Sequence, residues 1–424
     1  ACGSWLKSRL LARILGYRVA EIRRVLGEDA AYYRALVIHD GVEGGEPGGI
    51  EAWLVRDSSI PLIAMNFSFA GGSTEDPDTK SGTAYMVSSM LDEGAGPLDS
   101  RAYHQQLEDN AVELNFSVNH DYFQGSIKLL KERQDKSFEL LRLALNEPKF
   151  EQDATVRVRE QVMAALRRET TDPGSIATRA WWGTAFEGHP YARPNNGTLV
   201  SVPTITGDDM RDYARHVLTR GNLKVAAVGD IDAAALGKVL DTVFGALPAS
   251  STLRSIPDVA VHDTGRRIVS QLAVPQAVIR MGGTGVPRKD PDFMAAYLVN
   301  HILGGGSFTS RLYDQVREKR GLVYGVSSYM MNLRHAPLFM VSTQTSADQT
   351  REALELIEQE IAKMVADGPT EAADYPAPAW FPKAAGPGRT IQVIRHHRVQ
   401  GFMDAAVMTV PDAPGVVIVE RPSS

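Results

Sequence analysis

Past residue 50 the chain alternates between runs whose apolar positions recur every second residue and runs where they recur every third or fourth. These are the periods of strand and helix. Residues 50–55 and Leu62–Ala70 (LIAMNFSFA) are predicted strands, the second nearly continuous, as in a well-buried strand. Further strands are expected over 112–118, 122–129 and 222–229. The helical spacing predicts helices over 83–92, 101–111, 134–145, 150–170, 208–217 and Ala233–Phe244, with Phe138, Leu141 and Leu145 on one face of the third. Asp99 and Ser100 cap the second of these. Asp172-Pro173 is expected to end the long charged helix, and the stretch after it, with Trp181, Trp182 and His189-Pro190-Tyr191, reads as loop-rich.

The pattern then repeats. Residues 245–265 (GALPASSTLRSIPDVAVHDTG) read as a linker, followed by a strand over 276–282 and a helix over 295–304. Ala84, Tyr85, Val87 and Leu91 recur as Ala296, Tyr297, Val299 and Leu303 at an offset of 212. Asp76-Pro77-Asp78 recurs at 214, and Ser100-Arg101, Tyr103, Gln105 and Glu108 recur at 210. Three matches in one order imply two copies of one unit, too long for a solenoid repeat. The expected fold is therefore α+β: two homologous sandwich-like domains, each a mixed sheet with helices packed on it. The first covers 50–244 and the second 266–370, joined by the 245–265 linker. Residues 1–49 hold a basic amphipathic helix over 5–26, which either lies on a membrane surface or packs on the body, and a glycine-rich loop over 40–49. Residues 371–424 form an atypical tail.

Composition narrows the function more than the fold. Forty-five basic against 51 acidic residues give a net charge of −6, so nothing marks a nucleic-acid partner. The single cysteine, Cys2, cannot form an internal bridge. No apolar run reaches the length of a membrane span.

None of the ten histidines sits four residues from another, the spacing that puts two imidazoles on one helical face for zinc. Nucleophile-elbow, P-loop and dinucleotide motifs are absent. Gly304-Gly305-Gly306, ahead of a helix starting near Ser310, reads either as an anion-receiving turn or as a place where backbone approaches closely. The most specific local feature is Arg317-Glu318-Lys319-Arg320-Gly321-Leu322-Val323-Tyr324. A helix ends at Gly321 and a strand begins, so Arg317 and Tyr324 can face one space. Arginine grips carbonyls or carboxylates and a phenol donates to a developing oxyanion; equally, Arg317 could cap its helix and Tyr324 fill a strand position.

These segments, with Gly71-Gly72-Ser73 and Lys80-Ser81-Gly82-Thr83-Ala84, resemble the insulinase/pitrilysin family of zinc metallopeptidases over about residues 50–370. The resemblance implies two halves enclosing a peptide-binding chamber. Catalytic members carry H-x-x-E-H on the helix after the K-S-G-like loop, where this chain has Tyr85, Ser88 and Ser89. Glu160 matches an acidic position of the family, but the third-ligand position falls near Arg167. The resemblance thus implies no catalytic residue, no metal and no cofactor in this chain. The family's substrate-holding arginine and tyrosine match Arg317 and Tyr324, with Gly304, Gly305 and Gly306 beside them.

The chain is accordingly expected to be the zinc-free, substrate-binding subunit of a heteromeric bacterial peptidase. It would pair with a homologous H-x-x-E-H subunit that holds zinc and share peptide substrates with it. By the same resemblance it would be periplasmic, with the cytoplasm as the alternative. A structural scaffold with no part in proteolysis is the second reading, and chemistry rebuilt around Tyr85 and Ser88 the third. Both ends depart from the family: 368–389 is too rich in proline and glycine for the family's helix, and the first 45 residues lack its opening strand. A disrupted reading frame at both ends is the expected reason, which resequencing the locus would test.

Overall fold

The structure, a computed structural model, describes residues 35–40, 50–262, 266–368 and 416–420. The expected helix over 5–26, the loop over 41–49 and the stretch 369–389 lie outside them.

The first domain runs β1 (Ala35–Asp40), β2 (Ile50–Arg56), β3 (Leu62–Ala70), α1 (Thr83–Ser88), a small hairpin of β4 (Gly94–Ala95) and β5 (Leu98–Asp99), α2 (Ser100–Asp109), β6 (Glu113–Val118) and β7 (Tyr122–Leu130). It continues with α3 (Gln134–Asn146), α4 (Gln152–Glu169), α5 (Pro173–Ala185), α6 (Gly207–Val217), β8 (Leu223–Gly229) and α7 (Ala233–Phe244). The large sheet has the order β1-β2-β8-β3-β7-β6, with β2 and β8 parallel and the other neighbours antiparallel. One face is apolar: Ile63, Met65, Phe67 and Phe69 of β3 and Phe123, Ile127 and Leu129 of β7 are buried under the helices. Each such side chain contributes about 1.5–3 kcal/mol by leaving water. The opposite face carries Asn66, Gln124 and Lys128 and is open, as an antiparallel sheet allows.

The tip of the Phe67 ring reaches Gly125 of the neighbouring strand, and a Cβ there would stand 2.1 Å from Phe67 Cζ. The ring is held by Phe69, Phe116 and Phe244 and cannot swing away. Gly125→Ala is therefore expected to cost about 1–3 kcal/mol, read as a lower urea midpoint.

The second domain runs β9 (Arg267–Gln271), β10 (Gln276–Thr284), α8 (Phe293–Asn300), β11 (Val323–Asn332), β12 (Pro337–Ser346), α9 (Thr350–Asp367) and β13 (Val416–Glu420). Its sheet, β11-β12-β10-β13-β9, repeats five strands of the first in order and in sense. Strand β13 lies parallel to β9 and antiparallel to β10, as β8 lies to β2 and β3. This is the pattern a duplication would leave. The end segments each supply one strand: β1, antiparallel to β2, comes from residues 1–49, and β13, paired with β9 and β10, from beyond residue 370.

The largest departure inside the body is α5, expected as loop. Asp172 accepts a hydrogen bond from the Ser175 N–H at 2.7 Å and Pro173 occupies the first turn, a start signal as much as a stop. Though it precedes the linker, α5 packs on the second sheet: Ala177, Trp181 and Ala185 share a core with Val278, Leu338 and Met340. Strand β10 is consequently buried on both faces at its centre, with Ile279 and Met281 in the core under α8 and α9. The linker, as far as residue 262, is stitched down rather than free. The Arg254 N–H donates to Glu75 at 3.0 Å, the Val259 N–H to the His335 carbonyl at 2.9 Å and the His262 N–H to the Ala185 carbonyl at 2.8 Å.

Candidate functional site

Helix α1 carries the positions where a metal would be expected. The loop before it folds back so that the Asp76 carboxylate accepts from the N–H groups of Gly82 and Ala84, each at 2.7 Å. Burial pushes the Asp76 pKa up to about 7 while those N–H groups pull it down. Lys80 pairs with Asp209 at 2.5 Å and Ser81 donates to the Pro194 carbonyl at 2.8 Å, so this loop is spent on holding α1 against α6 and the segment 194–201. The hydroxyls of Ser88 and Ser89 both donate to the Tyr85 carbonyl, at 2.8 and 2.9 Å. Arg167 is exposed on the last turn of α4, and Glu160 is exposed on the same helix. Two hydroxyls turned onto their own helix, a phenol and a guanidinium do not fit zinc, which takes thiolate, imidazole or carboxylate ligands. Among the described residues no three His, Cys, Asp or Glu side chains are grouped to hold a metal ion. The same hydrogen bonds leave Ser88 without a base, so no rebuilt chemistry is derived there.

Beside Tyr85 opens a cavity of about 1020 Å³ between the domains. Its walls are the turn Asn119–Tyr122, the start of α5 with Arg179 and Trp182, the segment Pro194–Asn196, and Gln276, Arg280, Asn332 and Gln344 of the second sheet. Its charges are largely spoken for. Glu169 takes hydrogen bonds from Arg179 at 2.5 Å and Asn196 at 2.8 Å, Asp172 caps α5, and Arg280 bonds Ser342. Strand β6 is the outer strand of its sheet, with Val118 at the cavity, and among the described residues no strand pairs with its outer edge.

Arg317 and Tyr324 are brought together through backbone; neither lines this cavity, though Gly325 beside Tyr324 pairs with Gln344, which does. The last turn of the helical segment Tyr313–Glu318 is wide, and Gly321 (φ 62°) closes it with its N–H on the Arg317 carbonyl at 2.8 Å. On β11, Val323 pairs with Thr345 and Gly325 with Gln344, which leaves Tyr324 as the extra residue of a bulge. The Arg317 Nε donates to the Tyr324 carbonyl at 2.8 Å, its guanidinium lies 4.8 Å over the Tyr313 ring, and it pairs with Glu318. Arginine thus holds the bulge while the tyrosine side chain, 91% exposed, points outward. Phe308, 76% exposed, meets Tyr313 edge to face at 5.1 Å and extends this aromatic surface. The three glycines take the close-approach role: a Cβ at Gly304 would stand 2.7 Å from the Ser328 backbone nitrogen, one at Gly305 2.6 Å from the Asn300 side chain, and one at Gly306 2.7 Å from the His301 carbonyl.

Sequence reasoning missed the residues where the domains meet. His120 and Asp121, Trp182, Tyr191 and His335 come from four separate segments, and none belongs to a motif. The only available signal was the cluster of aromatic residues and histidine over 181–191.

Two α+β domains of one topology around a cavity, with α1 where a metallopeptidase of the inverted-zincin type holds its metal, define a metallopeptidase-type fold whose metal positions are filled by non-ligating groups. Family models agree: residues 54–198 match the insulinase (peptidase family M16) domain and residues 204–373 the peptidase M16 inactive domain. The chain belongs to this family. It is 26% identical over 315 residues to the "Non-peptidase homolog YmxG" of Helicobacter pylori, covering 74% of this chain and 72% of that one. It is 20% identical over 322 residues to the "Uncharacterized zinc protease YmxG" of Bacillus subtilis, covering 76% and 78%. The solved structure of a peptidase M16 inactive domain from Pseudomonas fluorescens superposes with a TM-score of 0.78 at 24% identity, over 92% of this chain and 99% of that one, a likeness of fold.

Proposed function

We propose that the chain is a non-catalytic, substrate-binding subunit of a heteromeric zinc metallopeptidase. It would pair with a homologous H-x-x-E-H subunit that carries the zinc, and the two would share one peptide chamber. The observation behind this reading is a cavity of about 1020 Å³ reached by Val118 of β6, a strand with no outer partner among the described residues, beside a helix whose side chains do not fit a metal. An extended peptide adds to such an edge through main-chain hydrogen bonds. Tyr324, thrown outward by its bulge, would reach substrate or partner, and Arg317 would hold it there. A periplasmic location accompanies this reading.

The test mixes the purified chain with an H-x-x-E-H homologue from the same genome and follows cleavage of a quenched peptide. The mixture is expected to cleave and the chain alone is not. Tyr324→Phe should lower the rate about five-fold, the worth of one hydrogen bond of about 1 kcal/mol, and Arg317→Ala should lower it further because the bulge is lost as well. Cleavage by the chain alone would refute the reading. A mixture indifferent to both substitutions would favour the scaffold reading.

A further inference from the structure

Besides α5 and the linker, the domains meet at the turn Asn119–Asp121 between β6 and β7. On its own side the turn is locked into the first domain. The N–H groups of Gly71, Ser73 and Thr74 donate to the carbonyls of Asp121, Asn119 and His120 at 2.8, 2.9 and 3.1 Å, and the Asn119 side chain accepts from the N–H groups of Asp121 and Tyr122, both at 2.9 Å. A Cβ at Gly72 would stand 2.1 Å from the Asn119 carbonyl oxygen, so the two segments touch without slack.

On the other side its side chains enter the second body. The buried Asp121 carboxylate accepts from the Tyr191 hydroxyl at 2.5 Å and from the Arg334 N–H at 2.7 Å, and the Tyr191 oxygen accepts from the His335 N–H at 3.1 Å. His120 stacks on Trp182 with ring centroids 4.5 Å apart. Tyr191 and Trp182 belong to the core built around α5 and the second sheet, and Arg334 and His335 lie in its β11–β12 turn. Asn119, His120, Asp121 and Trp182 also line the cavity. The lock therefore shares His120, Asp121 and Trp182 with the wall of the cavity.

We propose that Asp121 and Tyr191 are positioning residues that set the angle between the two domains, so that the width of the cavity is fixed before any ligand arrives. A charge-assisted hydrogen bond shielded from water suits this task, being short and directional. The proposal stands whether or not the ligand is a peptide.

Pulsed electron-spin distance measurement on the full chain tests it. Cys2→Ser removes the one native thiol, and Lys136→Cys on α3 and Glu355→Cys on α9 place exposed labels on the two domains. The parent should give one narrow distance, and Tyr191→Phe, which keeps the ring, should broaden it or add a second peak at unchanged far-UV circular dichroism. Asp121→Ala should do so more strongly; if that variant does not fold, Tyr191→Phe decides. Tyr103→Phe, which removes a buried hydroxyl bonded to the Leu140 carbonyl at 2.8 Å inside the first domain, should lower the melting temperature and leave the distance alone. A Tyr191→Phe distribution as narrow as the parent's overturns the proposal, as does equal broadening by Tyr103→Phe.

Discussion

Trp181→Ala is expected to destabilise the protein by about 3–5 kcal/mol, the range for removing a large aromatic side chain from a core. Trp181 is buried among the α5 and second-sheet residues, edge to face with Trp182 at 5.5 Å and with Phe186 at 6.1 Å. Its ring covers Gly282 so closely that a Cβ there would stand 2.7 Å from it. Its neighbours include rings, strand backbone and the flexible side chain of Met340, which can move partly into the void. The effect should also be local in a telling way. Because α5 joins the first domain's chain to the second domain's sheet, hydrogen exchange should rise in β10 and β12 and much less in β3 and β7. Guanidinium unfolding followed by exchange mass spectrometry measures both. A loss below about 1 kcal/mol, the level of an ordinary surface change, would show that α5 is not part of the second core.

The same helix shows where sequence reasoning stopped. Period and caps located β3 and α7 to the residue, since each is determined by its own neighbours in the chain. Asp172-Pro173 satisfies both the rule for ending one helix and the rule for starting the next, and only the packing of Trp181 on a sheet a hundred residues away shows that both apply. Strand β13 was illegible for a related reason: its partners β9 and β10 precede it by well over a hundred residues, and periodicity carries no information about pairing. At the site, the missing ligands were visible in Tyr85, Ser88 and Ser89, because metal chemistry depends on residue type. The work Arg317 does was not visible, because a β-bulge is a mismatch between two strands and leaves no mark on either. The contact of Asp121 with Tyr191 was hidden as well, being one hydrogen bond between residues 70 apart.

Acid should weaken the protein through His120. Its ring is buried against Trp182 and Tyr191, and that burial lowers its pKa to about 4 from an ordinary 6.5; the Asp121 charge and hydrogen bonds to the backbone of Tyr191 and Arg193 pull the other way without winning. The folded state therefore keeps His120 neutral while the unfolded chain protonates it. The stabilisation is fully present above pH 6.5, falls as the pH drops toward 4, and changes no further once the folded form also binds the proton. At about 1.4 kcal/mol for each unit of pKa difference the loss amounts to about 3 kcal/mol. His189, whose pKa burial also lowers, adds in the same direction. Carboxylates titrate in the same window, so the measurement is a difference: urea unfolding at several pH values between 7.5 and 4 for the parent and for His120→Phe, which keeps an aromatic ring on Trp182 but cannot take a proton. Between pH 6.5 and 4 the parent should lose stability more steeply by one proton's worth. Equal slopes would mean that His120 charges in the folded state as readily as in water, and the stack on Trp182 would then have to open at the joint between the two domains.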